Sequence, residues 1–439
     1  MNEPETGKNW WRPERTVAVA RADDGETGSR LAFGALVAFT GILLLTPQTL
    51  IPALKTLRIA LLAAGVAIFA HTLDSTIRRR TVIPAGPEML TAFALLTWAV
   101  MTIPFSLWPG GSVNLLTDQY LKAVVFFWLI ATLVTTRARL RTFGWTLVLC
   151  AIPLAATALR HFQTGVYVTS GNAAIQRIAG LGGLTGNPND LALTLNLIIP
   201  IAGALLATTR GAVARCLAAG AMLLSIPAVI VTFSRAGFLT LGTIVIMSLI
   251  FFAKRSAPGP AAAVLVVACS VVPLLPSGYL QRLDTITDID ADPTGSAQGR
   301  WSDYQVAVRV VEQNPIIGVG MGQDILALDK LRDRPTWRSV HNAYLEYAVD
   351  LGLPGILLFL ALLVASFLTA RRVELGSARD PALCDLTILA SGLQVALIAF
   401  AVGACFHPIA YQFYFFCVAG LAVATKTVYR TELASVHSS

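Results

Sequence analysis

Three residues stand out by type and place in a chain otherwise dominated by apolar runs. Arg235 lies in TFSRAGF with strongly apolar sequence on either side. An arginine near a membrane core costs several kcal/mol unless it is paired or solvated. Snorkelling of its guanidinium to an interface is the plain alternative. Arg300, in QGRWSDY, opens a helical stretch and taken alone is an ordinary loop arginine. His341, in SVHNAYLEYAVDLG, precedes an apolar run and suits either a proton acceptor or a helix-start position. Two arginines facing one cavity suit a phosphorylated or pyrophosphate ligand, because guanidinium forks match its oxygens. A neutral imidazole near its ordinary pKa can act as a proton acceptor.

The elements that position these residues are long and apolar. The chain has 439 residues, 55% hydrophobic and only 13% charged, a composition no soluble domain of this size reaches. A bilayer crossing needs roughly 20 mostly apolar residues, and such runs repeat from Leu31 almost to the C-terminus. The expected fold is an all-α polytopic membrane protein with about twelve spans: 31–51, 57–73, 86–108, 118–136, 142–160, 188–208, 213–233, 237–253, 259–276, 343–369, 383–406 and 408–428. Residues 1–30 form an expected cytoplasmic arm, 31–428 the transmembrane domain, 277–342 a periplasmic loop between spans nine and ten, and 429–439 a cytoplasmic tail.

Charge sets the expected orientation. Basic groups fall on the N-terminal arm (Lys8, Arg12, Arg15, Arg21, Arg30) and in every second hinge: Arg78 to Arg80, Arg137 to Arg141, Arg210 and Arg215, Lys254 and Arg255, Arg371 to Arg379, Lys426 and Arg430. Placing all of them on one side puts both termini in the cytoplasm. The first span follows about 30 polar residues, which predicts a retained helix rather than a cleaved leader. The net charge of +8 then reflects this bias, and no nucleic-acid role is assigned to it. The six cysteines show no ligand spacing and read as small buried hydrophobes.

Two outward segments are large, 161–187 and 277–342. Within the second, WSDYQVAVRVVEQ places Tyr304, Val306, Ala307, Val310 and Val311 at helical spacing, and Asn314 with Pro315 ends that helix. GVGMGQ follows, with Gly318, Gly320 and Gly322 at alternate positions, which predicts a tight backbone path rather than a nucleotide loop. The acidic run from Asp284 to Asp292 lacks calcium-loop spacing, so no metal site is expected. Arg177 and His161 are candidates to assist ligand binding, and Asn187, Asn189 and Asp190 are expected to cap the start of span six. Glu346 and Asp350, four apart on one helical face, are expected to hold an arginine in place. His407 and Tyr344 are candidates to line an acceptor cavity.

The order SRAG, then GR-W, then NPIIGVGMGQ, then HNAYLEYAVDLGLPG resembles the core of the O-antigen ligase and Wzy-type polysaccharide polymerase superfamily, over about Thr185 to Leu368. The resemblance implies a GT-C-like membrane glycosyltransferase of the bacterial inner membrane. It implies an undecaprenyl-diphosphate-linked glycan donor, a periplasmic acceptor hydroxyl on lipid A-core or a growing polysaccharide, and neither cofactor nor metal. It assigns Arg235 and Arg300 to the diphosphate and His341 to the acceptor hydroxyl, with inversion at the anomeric carbon. A Wzy-type polymerase, a protein O-oligosaccharyltransferase and a transporter of lipid-linked glycan remain alternatives. The transporter reading predicts internal repeats and broken helices at mid-bilayer.

Overall fold

The computed structural model describes residues 28–79, 81–82, 86–169, 176–271, 273, 275, 296–332 and 337–438. The acidic run Asp284 to Asp292 and most of the N-terminal arm lie outside the described residues.

Each expected span has a helix as its counterpart. They are α1 (Arg30–Leu45), α2 (Ile59–Ile77), α3 (Pro87–Thr102), α4 (Leu121–Leu133), α5 (Arg137–Thr164), α6 (Pro188–Thr208), α7 (Ala212–Val231), α8 (Arg235–Lys254) and α9 (Pro258–Val271). Two helices follow in the large loop, α10 (Ser296–Gln313) and α11 (Asp324–Leu331), and then α12 (Ala343–Ser377), α13 (Cys384–Ala404) and α14 (Phe413–Ser438). Among the described residues nine helical segments are long and apolar enough to cross a membrane, with α1 and the apolar part of α9 shorter. The only strands described are a two-residue antiparallel pair, Val168–Thr169 against Gln176–Arg177.

Several boundaries differ from the sequence expectation. The first run stops at Leu45, where Thr46 takes a left-handed conformation and Pro47–Thr49 turns the chain. The fourth segment starts earlier, because Pro109–Leu115 and a π-turn at Leu116–Tyr120 lead into α4. Its hydropathy is diluted there by Asp118 and Gln119, which hides the helical start. At the C-terminal end α12 runs on to Ser377, and α14 continues through the expected tail to Ser438. Polar residues extend both helices beyond any apolar window.

α6 is the central helix: 72% of its apolar window is buried inside the protein. It packs on α13 and α7, while α12 packs on α13, α3 and α14. Without a hydrophobic drive between helices in lipid, close approach at small residues must supply the attraction. Gly392 of α13 does this against α6, since a Cβ there would stand 2.8 Å from the Pro200 carbonyl oxygen.

Helix alternation separates the polar groups into two ends. The basic hinges cluster at one end with their carboxylates, as in Arg137 with Asp385 and Glu432, and Arg255 with Glu374. The starts of α6, α8, α12 and α14 lie at the other end, together with the ends of α3, α5, α7 and α13, and α10 and α11 pack on each other and on α12 there.

Candidate functional site

α12 begins at Asn342, whose side chain accepts from the amides of Tyr344 and Leu345. Its first two turns are buried, with Glu346 8% and Asp350 0% exposed. These carboxylates do share a face, but the expected arginine partner is replaced by main chain. Asp350 accepts from the amides of Gly322 (2.6 Å), Gln323 (3.1 Å) and Asp324 (2.9 Å) and from the Tyr411 hydroxyl (3.0 Å). Glu346 accepts from the Ala410 amide at 3.0 Å. A buried amide without an acceptor is costly, and a glycine-rich turn presents several in one concavity. The helical carboxylate fills that concavity.

The tight backbone path read from GVGMGQ is present. Gly318, Gly320 and Gly322 all have positive φ. At Gly320 a Cβ would come within 2.6 Å of the Ser106 Cα, so only glycine fits. The turn ends in α11, where Asp324 is 2% exposed. Its carboxylate accepts from the Ser339 hydroxyl and, at 2.8 Å, from the Val340 amide.

His341 follows directly. Its Nδ1 lies 3.0 Å from the Ser339 carbonyl oxygen. A carbonyl can only accept, so Nδ1 carries the hydrogen and Nε2 keeps its lone pair. Burial, reinforced by the Arg300 and Arg338 guanidinium groups and His407, lowers the His341 pKa to about 3 against a weaker upward pull from the Ser339 bond. The imidazole is therefore neutral at physiological pH.

α10 supplies the groups above His341. Arg300 sits in its first turns, half-buried and close enough to depress both His341 and His407. One turn on, the Tyr304 hydroxyl is 2.9 Å from the carbonyl oxygens of His341 and of Cys405. Burial raises the Tyr304 pKa, opposed by Arg300. Asp303, 2% exposed, takes Arg332 on one oxygen (2.8 Å) and Arg338 on the other (2.7 Å). Charged groups in such forked pairs fix orientation as well as charge. The pairs tie α10 to the segment entering α12.

A second polar group faces this one. Asn187 caps α6 through the Asn189 amide, as expected. The Asn189 side-chain oxygen accepts from Arg177 and, at 2.7 Å, from the Ser234 hydroxyl. Arg177 also donates to the Thr232 carbonyl at 3.4 Å. Ser234 caps α8 through the Gly237 amide at 3.0 Å, which places Arg235 at the first position of α8 beside this group. His407, 2% exposed, has Nδ1 3.8 Å from Asp190. Burial lowers its pKa more than the Asp190 contact raises it.

The structure thus gathers His341, Arg300, His407 and Arg177 at one end of the bundle, with Arg235 at the same end on the α6 side. Two further candidates are held by main-chain carbonyls. His161 ties the preceding segment to the Ala179 carbonyl at 3.2 Å, and Tyr344 joins α12 to α13 by donating to the Ala401 carbonyl at 2.8 Å. Sequence reasoning missed Asp303, Asp324 and Arg338. A signal existed for Asp324, a carboxylate entering a helix straight after a glycine turn; the other two are isolated charges in a polar loop. Among the described residues no three His, Cys, Asp or Glu side chains are grouped as a metal site.

Comparison with known families bears on this end of the molecule. The family model described as O-Antigen ligase, Wzy_C, matches residues 220–360. Residues 220–360 form an O-antigen ligase-related domain. That Wzy_C region carries Arg235, Arg300, the GVGMGQ turn, Asp324, His341, Glu346 and Asp350, whereas Arg177, Asp190 and His407 come from outside it. No curated protein matches the chain.

Proposed function

We propose that the protein is a glycosyltransferase of the O-antigen ligase type, moving a glycan from undecaprenyl diphosphate to an acceptor sugar hydroxyl at the periplasmic face of the bacterial inner membrane. The observation that carries this reading is a neutral imidazole with its Nε2 lone pair unengaged by the Ser339 bond, beside Arg300, inside the Wzy_C region. The basic hinges at the opposite end favour that end as cytoplasmic.

In this reaction the acceptor oxygen attacks the anomeric carbon from the face opposite the diphosphate. Its proton passes to His341 Nε2. The bond from the anomeric carbon to the diphosphate oxygen breaks, and lipid diphosphate leaves with the electron pair. Arg235 and Arg300 stabilise the charge that develops there, and one displacement inverts the centre. The donor also answers the low basicity of His341. A diphosphate against Arg300 offsets the charge that depresses the imidazole, so the base strengthens when the donor is seated. The leaving group is already good, and the route uses neither nucleotide nor metal.

Turnover with a synthetic lipid-diphosphate donor tests the reading. His341→Ala is expected to abolish transfer while membrane insertion persists. Arg235→Lys and Arg300→Lys keep charge but lose the planar fork, and both are expected to impair turnover. Normal turnover in all three sinks the assignment. Movement of donor across liposomes with no glycosidic bond formed establishes transport instead. A Wzy-type polymerase and a protein O-oligosaccharyltransferase share the donor chemistry and differ in acceptor. Gene deletion separates ligase from polymerase: loss of ligase leaves full-length polymer on the carrier lipid, loss of polymerase leaves single repeat units.

A further inference from the structure

The segment entering α12 is pinned residue by residue. The Arg338 carbonyl accepts from Arg332 at 2.8 Å. The Ser339 hydroxyl and Val340 amide both donate to the Asp324 carboxylate. The Val340 carbonyl accepts from the Asn342 amide at 2.8 Å. His341 Nδ1 then meets the Ser339 carbonyl at 3.0 Å. Asp324 is itself fixed, because its own amide is one of the three gripped by Asp350.

We infer that Asp324 is the positioning residue of His341: its buried carboxylate holds Ser339 and Val340 so that the Ser339 carbonyl selects the Nδ1–H tautomer and leaves Nε2 as the proton acceptor. This rests on the reading of His341 as the base. The physical reason is that an imidazole's second nitrogen decides which tautomer is present. Here the selecting acceptor is a main-chain carbonyl two residues away, and a carbonyl on a loop selects nothing unless that loop is held. The anchor is a carboxylate accepting a backbone amide and a hydroxyl in a buried setting, where such bonds are strong. Asp350 extends the same chain of contacts into α12, so one turn of the membrane helix and the loop ahead of it register the histidine together.

The test uses the full chain in lipid nanodiscs with 15N-labelled histidine. The chain has five histidines, and the His341 signals are assigned by their loss in His341→Gln. Imidazole two-bond correlations distinguish the tautomers directly. The wild type is expected to show His341 as Nδ1–H. Asp324→Ala is expected to show mixed tautomers, with kcat lower by about 10²-fold, the order expected of a misplaced reacting group, and a donor KM within about twofold. Asp324→Asn keeps an oxygen for the Val340 amide and is expected to restore both the tautomer and most of the turnover. Ser339→Ala removes only the hydroxyl contact and serves if Asp324→Ala fails to fold; a smaller change in the same direction is expected. A single Nδ1–H tautomer with wild-type kcat in these folded variants overturns the proposal. Full turnover in His341→Gln, with the tautomer still dependent on Asp324, overturns the base assignment alone.

Discussion

The depressed basicity of His341 has a direct kinetic signature. Burial is the first cause, and Arg300 and Arg338 are the next charges acting downward, to a pKa of about 3. An imidazole at its ordinary value of about 6.5 would be about 97% protonated at pH 5 and would cost about 30-fold in kcat/KM there. With the value near 3, about 99% remains neutral at pH 5. The plot of kcat/KM against pH, which reports the free enzyme, should therefore be flat from about pH 5 to pH 8. The same group in the donor complex faces a diphosphate that counters Arg300, so the acid limb of kcat should lie at higher pH than that of kcat/KM. Arg300→Gln and Arg338→Gln each remove a depressing charge and should move the free-enzyme limb upward. The sign for stability follows. The unfolded chain binds the His341 proton more readily between about pH 3 and 6.5, so this group makes the fold less stable as pH falls through that window. Initial rates with synthetic donor across pH 4.5 to 8.5 decide the matter. A kcat/KM limb centred near pH 6.5 and lost in His341→Gln would refute the reasoning.

Asp350→Ala strips the acceptor from the buried Gln323 and Asp324 amides and the half-buried Gly322 amide, at about 1–3 kcal/mol for each buried one, so folded protein should be nearly lost; Asp350→Asn, which keeps one acceptor oxygen, should be recovered in part, as read by size-exclusion yield and proteolysis between residues 318 and 324. Gly320→Ala should cost about 1–2 kcal/mol from the left-handed backbone alone and more from the approach to Ser106, so thermal unfolding in detergent should fall, and Ser106→Gly should fail to restore it fully. At the opposite end, Lys426 lies 2.6 Å from Glu88, whose side chain is 1% exposed. Lys426→Ala strands that carboxylate at about 3–5 kcal/mol, whereas the double change Glu88→Gln with Lys426→Met should recover most of the loss; thermal melts of both variants check this.

The membrane helices were legible because apolar runs announce themselves without knowledge of partners. Arg235 stood out for the opposite reason, as a charge in strongly apolar sequence where it costs energy, whereas Arg300 and His341 are ordinary loop and helix-start residues that stood out by the resemblance. The role of Asp350 was not legible. A carboxylate four residues from another on a helix reads as half of an ion pair, and its true partners are amides, which every residue carries and no sequence pattern marks. Asp303 was hidden likewise, since Arg332 and Arg338 lie across a loop whose path composition does not reveal. The pairing of Asp190 with His407 joins the start of α6 to the turn before α14, far apart along the chain. His161 and Tyr344 are likewise held by main-chain carbonyls of neighbouring segments, which no sequence pattern marks.

α12 does not run unbroken. At Gly352 its φ is 68° and ψ −171°, and the backbone groups around that break are taken up by other segments. Leu353 donates to the Pro315 carbonyl at 2.7 Å, Val319 and Gly320 donate to the carbonyls of Val349 and Asp350, and Trp98 donates to that of Leu351. Residues 315–320 therefore belong to the helix's hydrogen bonding as much as to the loop's. For anyone building chimaeras to change acceptor choice, this sets where the cuts can fall. An exchange that begins before Asp324 would replace part of a membrane helix's own wiring, while one made between the end of α11 and Trp337 would leave that wiring intact.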